Sequence, residues 1–218
     1  MARLSRVVAV GYPHHITQRG NRRQHVFFNY EDYEAYKDLL AYWCTKYNVE
    51  TWAYCLMPNH VHLMAVPQDK EGLAKAIGET HKRYTRMVNF RENWRGYLWQ
   101  GRFSSFPMEK KYAVACARYI ELNPVRAKLV KKPEQWQWSS AEAHMKGEKD
   151  KLIRSSKPMR DPGEWRLLLE GGMDESREFR KHEKTGRPLG PESFINKLEI
   201  LLDRTLTLGK PGRKKMEE

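Results

Sequence analysis

Apolar, aromatic and β-branched positions crowd residues 49–57 (VETWAYCLM) and again 60–66 (HVHLMAV), and only the polar-turn pair Pro58-Asn59 separates the two β-rich runs. Two such runs broken by such a pair predict a β-hairpin. Residues 12–19 read as another extended segment, 25–29 (HVFFN) as a short strand that pairs with it or caps it, and 102–108 as a further strand. Between these runs the period changes to that of a helix. Residues 30–48 carry apolar or aromatic side chains at 33, 36, 39, 40 and 43; residues 73–89 carry a stripe through Leu73, Ala76, Ile77, Tyr84, Met87 and Val88; residues 111–123 make a third helix. Downstream, 176–184 and 191–204 predict two short helices around TGRPLG, with Pro191 at a first helical position. The order β, α, β-β, α, β, α joins its central strands by a hairpin. That predicts an α+β fold with an antiparallel sheet, not a doubly wound parallel one.

The 218 residues suffice for one substantial domain with an appendage. Polarity rises and aromatics thin out over 146–163 (KGEKDKLIRSSKPMRDPG), which places a boundary there: a body over 1–145, then a linker and a small helical, basic C-terminal extension over 146–218. Lys and Arg number 40 against 27 Asp and Glu, a net charge of +13. The body carries 22 basic and 13 acidic residues and the extension 18 and 14, so the excess belongs mainly to the body. Such a surface expects a polyanion, usually nucleic acid. No apolar run approaches the roughly 20 residues that cross a bilayer, and the N-terminal stretch is too short for a secretory signal, so the expected location is the cytoplasm, with no membrane partner. Cys44, Cys55 and Cys116 show no CxxC spacing and read as buried free thiols.

Two constellations could carry chemistry. On a strand, His60 and His62 project from one face while Val61 points into a core. Paired imidazoles can ligate a divalent metal, and they can equally be a chance spacing among eight histidines. Tyr119 and Asn123, four apart, share a helix face. A phenol can attack a phosphodiester and hold the broken strand, and a carboxamide can supply a metal ligand. The plain alternative is that Tyr119 belongs to the apolar stripe of Tyr112, Ala115, Cys116 and Ile120. Pro124 ends or kinks the helix at Asn123.

The ordered set HHITQRGNRR (14–23), WAYCLMPNHVHLM (52–64), YLWQGRFSS (97–105), YIELNPVRAKLV (119–130) and WQWSS (136–140) resembles the HUH single-tyrosine transposases, and more narrowly the REP-associated tyrosine transposases. The resemblance implies a ferredoxin-like antiparallel sheet with helices. It implies that His60 and His62 bind a divalent cation, Mg or Mn, and that Tyr119 is the nucleophile forming a 5′-phosphotyrosine. Asn123 would be the third protein ligand, where related enzymes more often carry Gln. The implied partner is single-stranded DNA folded into a REP-type hairpin, bound by a protein of the bacterial nucleoid that acts as a monomer, with a dimer left open. Arg19, Asn21, Arg22 and Arg23 form a basic turn fit for phosphates or a base edge, and Lys82, Arg83 and Arg86 lie off the apolar stripe of the second helix. Arg102 and Arg126 fall inside the family-like motifs. Among Trp94, Tyr97, Trp99, Trp136 and Trp138, one or two are expected to stack bases and the rest to be core. GRP at 186–188 and PGRKK at 211–215 suggest an accessory DNA-binding segment. Two rivals stand beside the transposase: a DNA-binding regulator that cleaves nothing, and a metallonuclease whose nucleophile is water.

Overall fold

The structure, a computed structural model, describes residues 5–153, 161–171 and 176–207. The hairpin forms about Pro58-Asn59 as expected: β2 (Val49–Met57) and β3 (His60–Pro67) pair antiparallel, with Met57 opposite His60. β1 (His14–Arg19) lies against the other side of β3, and β4 (Ser104–Pro107) against β1, giving the antiparallel order β2-β3-β1-β4. With α1 (Tyr30–Lys46) after β1 and α2 (Gly72–Arg91) after β3, this is the ferredoxin-like βαββαβ order. The segment 25–29 is no strand. The N–H groups of Val26 and Phe27 both donate to the Pro58 carbonyl, and Phe27 stacks on Tyr33 in the core. The segment is pinned to the hairpin turn instead of joining a ladder.

Alternation divides the sheet cleanly. Ile16, Val61, Leu63 and Ala65 face α1 and α2 and build one core with Tyr36, Leu40, Ile77 and Tyr84. Met64, Val66, Cys55 and Phe106 face the other way, against α3 (Ala113–Glu121). Leu122 breaks that helix, and α4 (Asn123–Arg126) continues from it. The chain beyond 145 adds to this second layer. After α5 (Ala141–Lys146), helices α6 (Pro162–Gly171) and α7 (Ser176–Thr185) deliver Trp165, Leu169 and Phe179 to the core that holds Tyr119. α8 (Glu192–Leu202) packs Phe194 and Leu198 on Val7 and Ala9, and Pro191 is its cap rather than its first residue. PGRKK (211–215) lies outside the described residues. Among the described residues, no helix is long and apolar enough to cross a membrane.

A buried polar node ties these helices to α3. Glu121, fully buried on α3, accepts from Ser140 Oγ at 2.6 Å, His144 Nδ1 at 2.5 Å and Trp165 Nε1 at 2.8 Å. Glu121→Ala removes the shared acceptor of all three, leaving Ser140 Oγ the Tyr54 carbonyl at 3.3 Å and stranding the other two donors. It is expected to cost about 3–5 kcal/mol, read as a fall in the urea midpoint.

Candidate active site

β3 sends His60 and His62 to the same face, with ring centroids 5.0 Å apart, while Val61 enters the opposite core. The β1–β3 register sets Arg19 opposite His60 and Thr17 opposite His62, so β1 presents His15 to that same face. His15 Nε2 lies 3.1 Å from His62 Nδ1, and the two rings stack at 5.3 Å. Over them, α3 places Tyr119, whose ring meets those of His15 and His62 edge-on at 5.6 and 5.9 Å. A fourth group arrives from α7: the Tyr119 hydroxyl donates to Glu183 Oε1 at 3.2 Å, and that oxygen stands 3.5 Å from His15 Nδ1 and 3.9 Å from His62 Nδ1. Phe179, one turn earlier on α7, stacks on the Tyr119 ring at 5.1 Å. The guanidinium of Arg126 lies 4.5 Å from the centre of that ring and donates to the Tyr119 carbonyl.

Burial sets the electrostatics. It pushes His15 down to about 3 and His60 down to about 4, the latter helped by the Arg19 charge. It also holds His62 well below the usual histidine range, with His60 and His15 adding to the effect. All three imidazoles are therefore neutral near pH 7, the form that ligates metals. Burial, then the nearby Glu183 carboxylate, pushes the Tyr119 phenol up to about 12, while Arg180 and Arg126 pull against that rise. Burial also raises Glu183.

These residues fit a divalent cation. His15, His62 and Glu183 bring one donor atom each to within 4.8 Å of one another, and His15 Nδ1 makes no hydrogen bond. Neutral imidazole nitrogens with one carboxylate oxygen suit Mn or Zn, and Mg where phosphate oxygens complete the shell. Asn123 is placed differently: its Nδ2 donates to the carbonyls of Tyr119 and Ile120, both at 3.2 Å.

The family model described as "Transposase IS200 like" matches residues 9–123, from before β1 through Tyr119 to Asn123. The chain belongs to the IS200-like transposase family. Over 116 residues it is 30% identical to a Haemophilus influenzae protein described as a REP-associated tyrosine transposase; the match covers 48% of this chain and 66% of that protein's length. A solved REP-associated tyrosine transposase bound to a REP hairpin shares the fold, with a TM-score of 0.58 and 20% identity over 74% of this chain and 94% of that one.

The transposase distributes its other candidate residues over two regions. Arg19, Arg22 and Arg23 are exposed at the His60 end of the sheet, and Asn21 is half-buried beside them. Arg22 and Arg23 both take positive φ, 52° and 62°, in a tight turn. Gly20 opens that turn because a Cβ there would lie 2.3 Å from the Gln24 carbonyl oxygen. Lys82, Arg83 and Arg86 are exposed on α2, in the layer on the far side of the sheet, where Arg83 turns toward Glu79 and the Trp43 ring. Arg102 is exposed just before β4. Among the aromatics, Trp99 and Trp138 are buried, Trp136 is half-buried, and Trp94 and Tyr97 are exposed. His15, Phe179 and Glu183 were not singled out from sequence. The signal for His15 is parity, since it shares a strand face with Thr17 and Arg19. For Glu183 it is the i, i+4 spacing from Phe179.

Proposed function

We propose that this transposase is a single-strand DNA endonuclease and strand transferase acting beside REP-type hairpins of the bacterial nucleoid. The observation that carries the reading is the Tyr119 hydroxyl, aimed from α3 at a face of neutral imidazoles with Arg126 over its ring. Tyr119 Oη attacks the scissile phosphorus and loses its proton to water, while the bond to the 3′ oxygen breaks and that oxygen takes a proton from water. The products are a free 3′-OH and a 5′-phosphotyrosine, which preserves the ester for later attack by a 3′-OH. Arg126 favours the phenolate through its charge.

Mg or Mn would be held by His60 and His62, and when bound it screens and polarises the scissile phosphate. Asn123 is the third donor the resemblance implies; its amide nitrogen is engaged on α3, and a carboxylate oxygen of Glu183 stands 3.9 Å from His62 Nδ1. Tyr119 is only 5% exposed beneath Phe179 and Glu183, so DNA gains the hydroxyl when α7 withdraws. Glu183 then fills, in the closed arrangement, the place that the anionic phosphate takes.

The test is a denaturing gel of protein incubated with labelled single-stranded hairpins. A covalent adduct should form with Mg or Mn and vanish with chelator. His62→Ala should lower its yield by ~100-fold or more, while hairpin binding stays. An adduct indifferent to chelator would remove the cation from the reading, and tight binding without any adduct would leave a regulator.

A further inference from the structure

Three aromatic rings stand out of the surface near the end of α2: Phe90 is 90% exposed, Tyr97 86% and Trp94 45%. One exposed ring is unremarkable, but three within eight residues of a strongly polar chain form a patch that packing does not explain. The patch is built rather than loose. Arg91 pins the end of α2 to the buried Asp32 with bonds of 2.5 and 3.1 Å, and Phe28 receives the edge of Trp94 at 5.6 Å. Asn89 holds the following loop at two points, its carbonyl accepting from Trp94 N at 2.8 Å and its Nδ2 donating to the Gly96 carbonyl at 2.9 Å. Phe90 and Trp94 line a groove of about 540 Å³ with Lys82, Arg86, Asn89 and Asn93; among the described residues no acidic side chain lines it, and Lys82 pairs with Glu79 at 3.3 Å beside it.

We propose that this groove binds unpaired nucleotides of single-stranded DNA, with Phe90 and Trp94 stacking on bases and Lys82 and Arg86 facing the backbone. Exposed aromatic faces interleaved with cations match the two components of an unpaired strand, whose bases offer π-faces and whose phosphates are anionic. Duplex DNA hides its base faces and would leave both rings unused. The groove is also joined to the catalytic face. From Trp94 the chain reaches Leu98, whose carbonyl accepts from Asn21 N at 2.8 Å; Trp99 bridges to Gly20, and Gln100 N donates to the Arg19 carbonyl at 2.8 Å. Arg19 stands opposite His60. A strand flanking the scissile phosphate thus has a basic route over Arg19, Arg22 and Arg23 toward the groove. The inference deepens the reading of a single-strand transferase and rests on it for the route, though not for the groove itself.

Anisotropy titrations of the full chain test it, using labelled oligothymidylate, a hairpin with single-stranded flanks and the same hairpin without flanks. Phe90→Ala and Trp94→Ala should each weaken binding of oligothymidylate and of the flanked hairpin by about five-fold or more, leaving the flankless hairpin unchanged. Arg86→Ala should flatten the salt dependence on oligothymidylate by about 0.7 in log–log slope. Unchanged urea midpoints show that these exposed replacements spare the fold. Weakening of both hairpins that spares oligothymidylate would assign the groove to duplex, equal weakening of all three would make it a contact indifferent to strandedness, and wild-type affinities throughout would make it a protein contact or bare surface; each overturns the proposal. If wild type forms the Tyr119 adduct while the groove variants bind normally, the groove fails alone. If oligothymidylate binding depends on Phe90 and Trp94 but no hairpin yields an adduct, the catalytic reading fails alone.

Discussion

Tyr119→Phe is expected to abolish the covalent protein–DNA adduct while keeping hairpin affinity within about two-fold of wild type. The substitution removes one oxygen and little else. The ring still stacks on Phe179, meets His15 and His62 edge-on and lies beneath Arg126, so α3 keeps its seat on the sheet. What is lost is the group that would bond to phosphorus, and no partial activity follows from losing a nucleophile. A catalytic water would behave differently: the variant would go on cutting and would release both ends free of protein. The denaturing gel separates the two, because a phosphotyrosine survives detergent. Cleavage by Tyr119→Phe at even a tenth of the wild-type rate, with no adduct, would transfer the chemistry to water. Stability offers an independent check. The hydroxyl's bond to the Glu183 carboxylate is one hydrogen bond to a charged group, so the urea midpoint should fall by no more than the ~1.5–3 kcal/mol such a bond contributes.

How much of this was legible in the sequence follows from how local each signal is. The parity of a strand put His60 and His62 on one face and Val61 on the other, and the period of the helix put Tyr119 on the face of α3 that turns to the sheet. Both are facts of backbone geometry, available a few residues at a time. The order β, α, β-β, α, β, α was readable because helical stripes separate the β-rich runs, and the resemblance supplied its ferredoxin-like form. His15 required the β1–β3 register, a pairing across 47 residues that no local pattern fixes. Glu183 lies 64 residues beyond Tyr119 on a helix whose composition, SREFRKHEK, reads as a solvated charged face. Only docking, with Phe179 as its single large apolar anchor into that core, turns the charged face inward. The short run 25–29 failed for the opposite reason. Its β-rich composition was genuine, but Val26 and Phe27 serve the core of the hairpin turn and not a ladder.

Glu183→Ala should raise the rate of adduct formation at limiting DNA by about ten-fold or more. In the closed arrangement Glu183 accepts a hydrogen bond from the Tyr119 hydroxyl and sits beside two imidazoles, where an incoming phosphate would place its own negative charge. Two anions cannot share that spot, so DNA must first displace the carboxylate. A hydrogen bond to a charged group contributes ~1.5–3 kcal/mol, and removing that toll shifts the balance toward the open form by roughly an order of magnitude or more. The carboxylate also raises the phenol, so its loss brings Tyr119 closer to the range where it ionises. Phe179→Ala should act in the same direction by freeing the ring, whereas Glu183→Gln, which keeps the shape but not the charge, should fall between wild type and Glu183→Ala. Hairpins without a cleavable phosphate should bind more tightly to Glu183→Ala than to wild type, since the gain arises before chemistry. A fall in adduct yield for Glu183→Ala, with His62 and Tyr119 intact, would mean instead that the carboxylate takes part in the reaction, as proton acceptor or cation ligand. The placeholder role would then be wrong, and α7 would belong to the catalytic apparatus rather than to its cover.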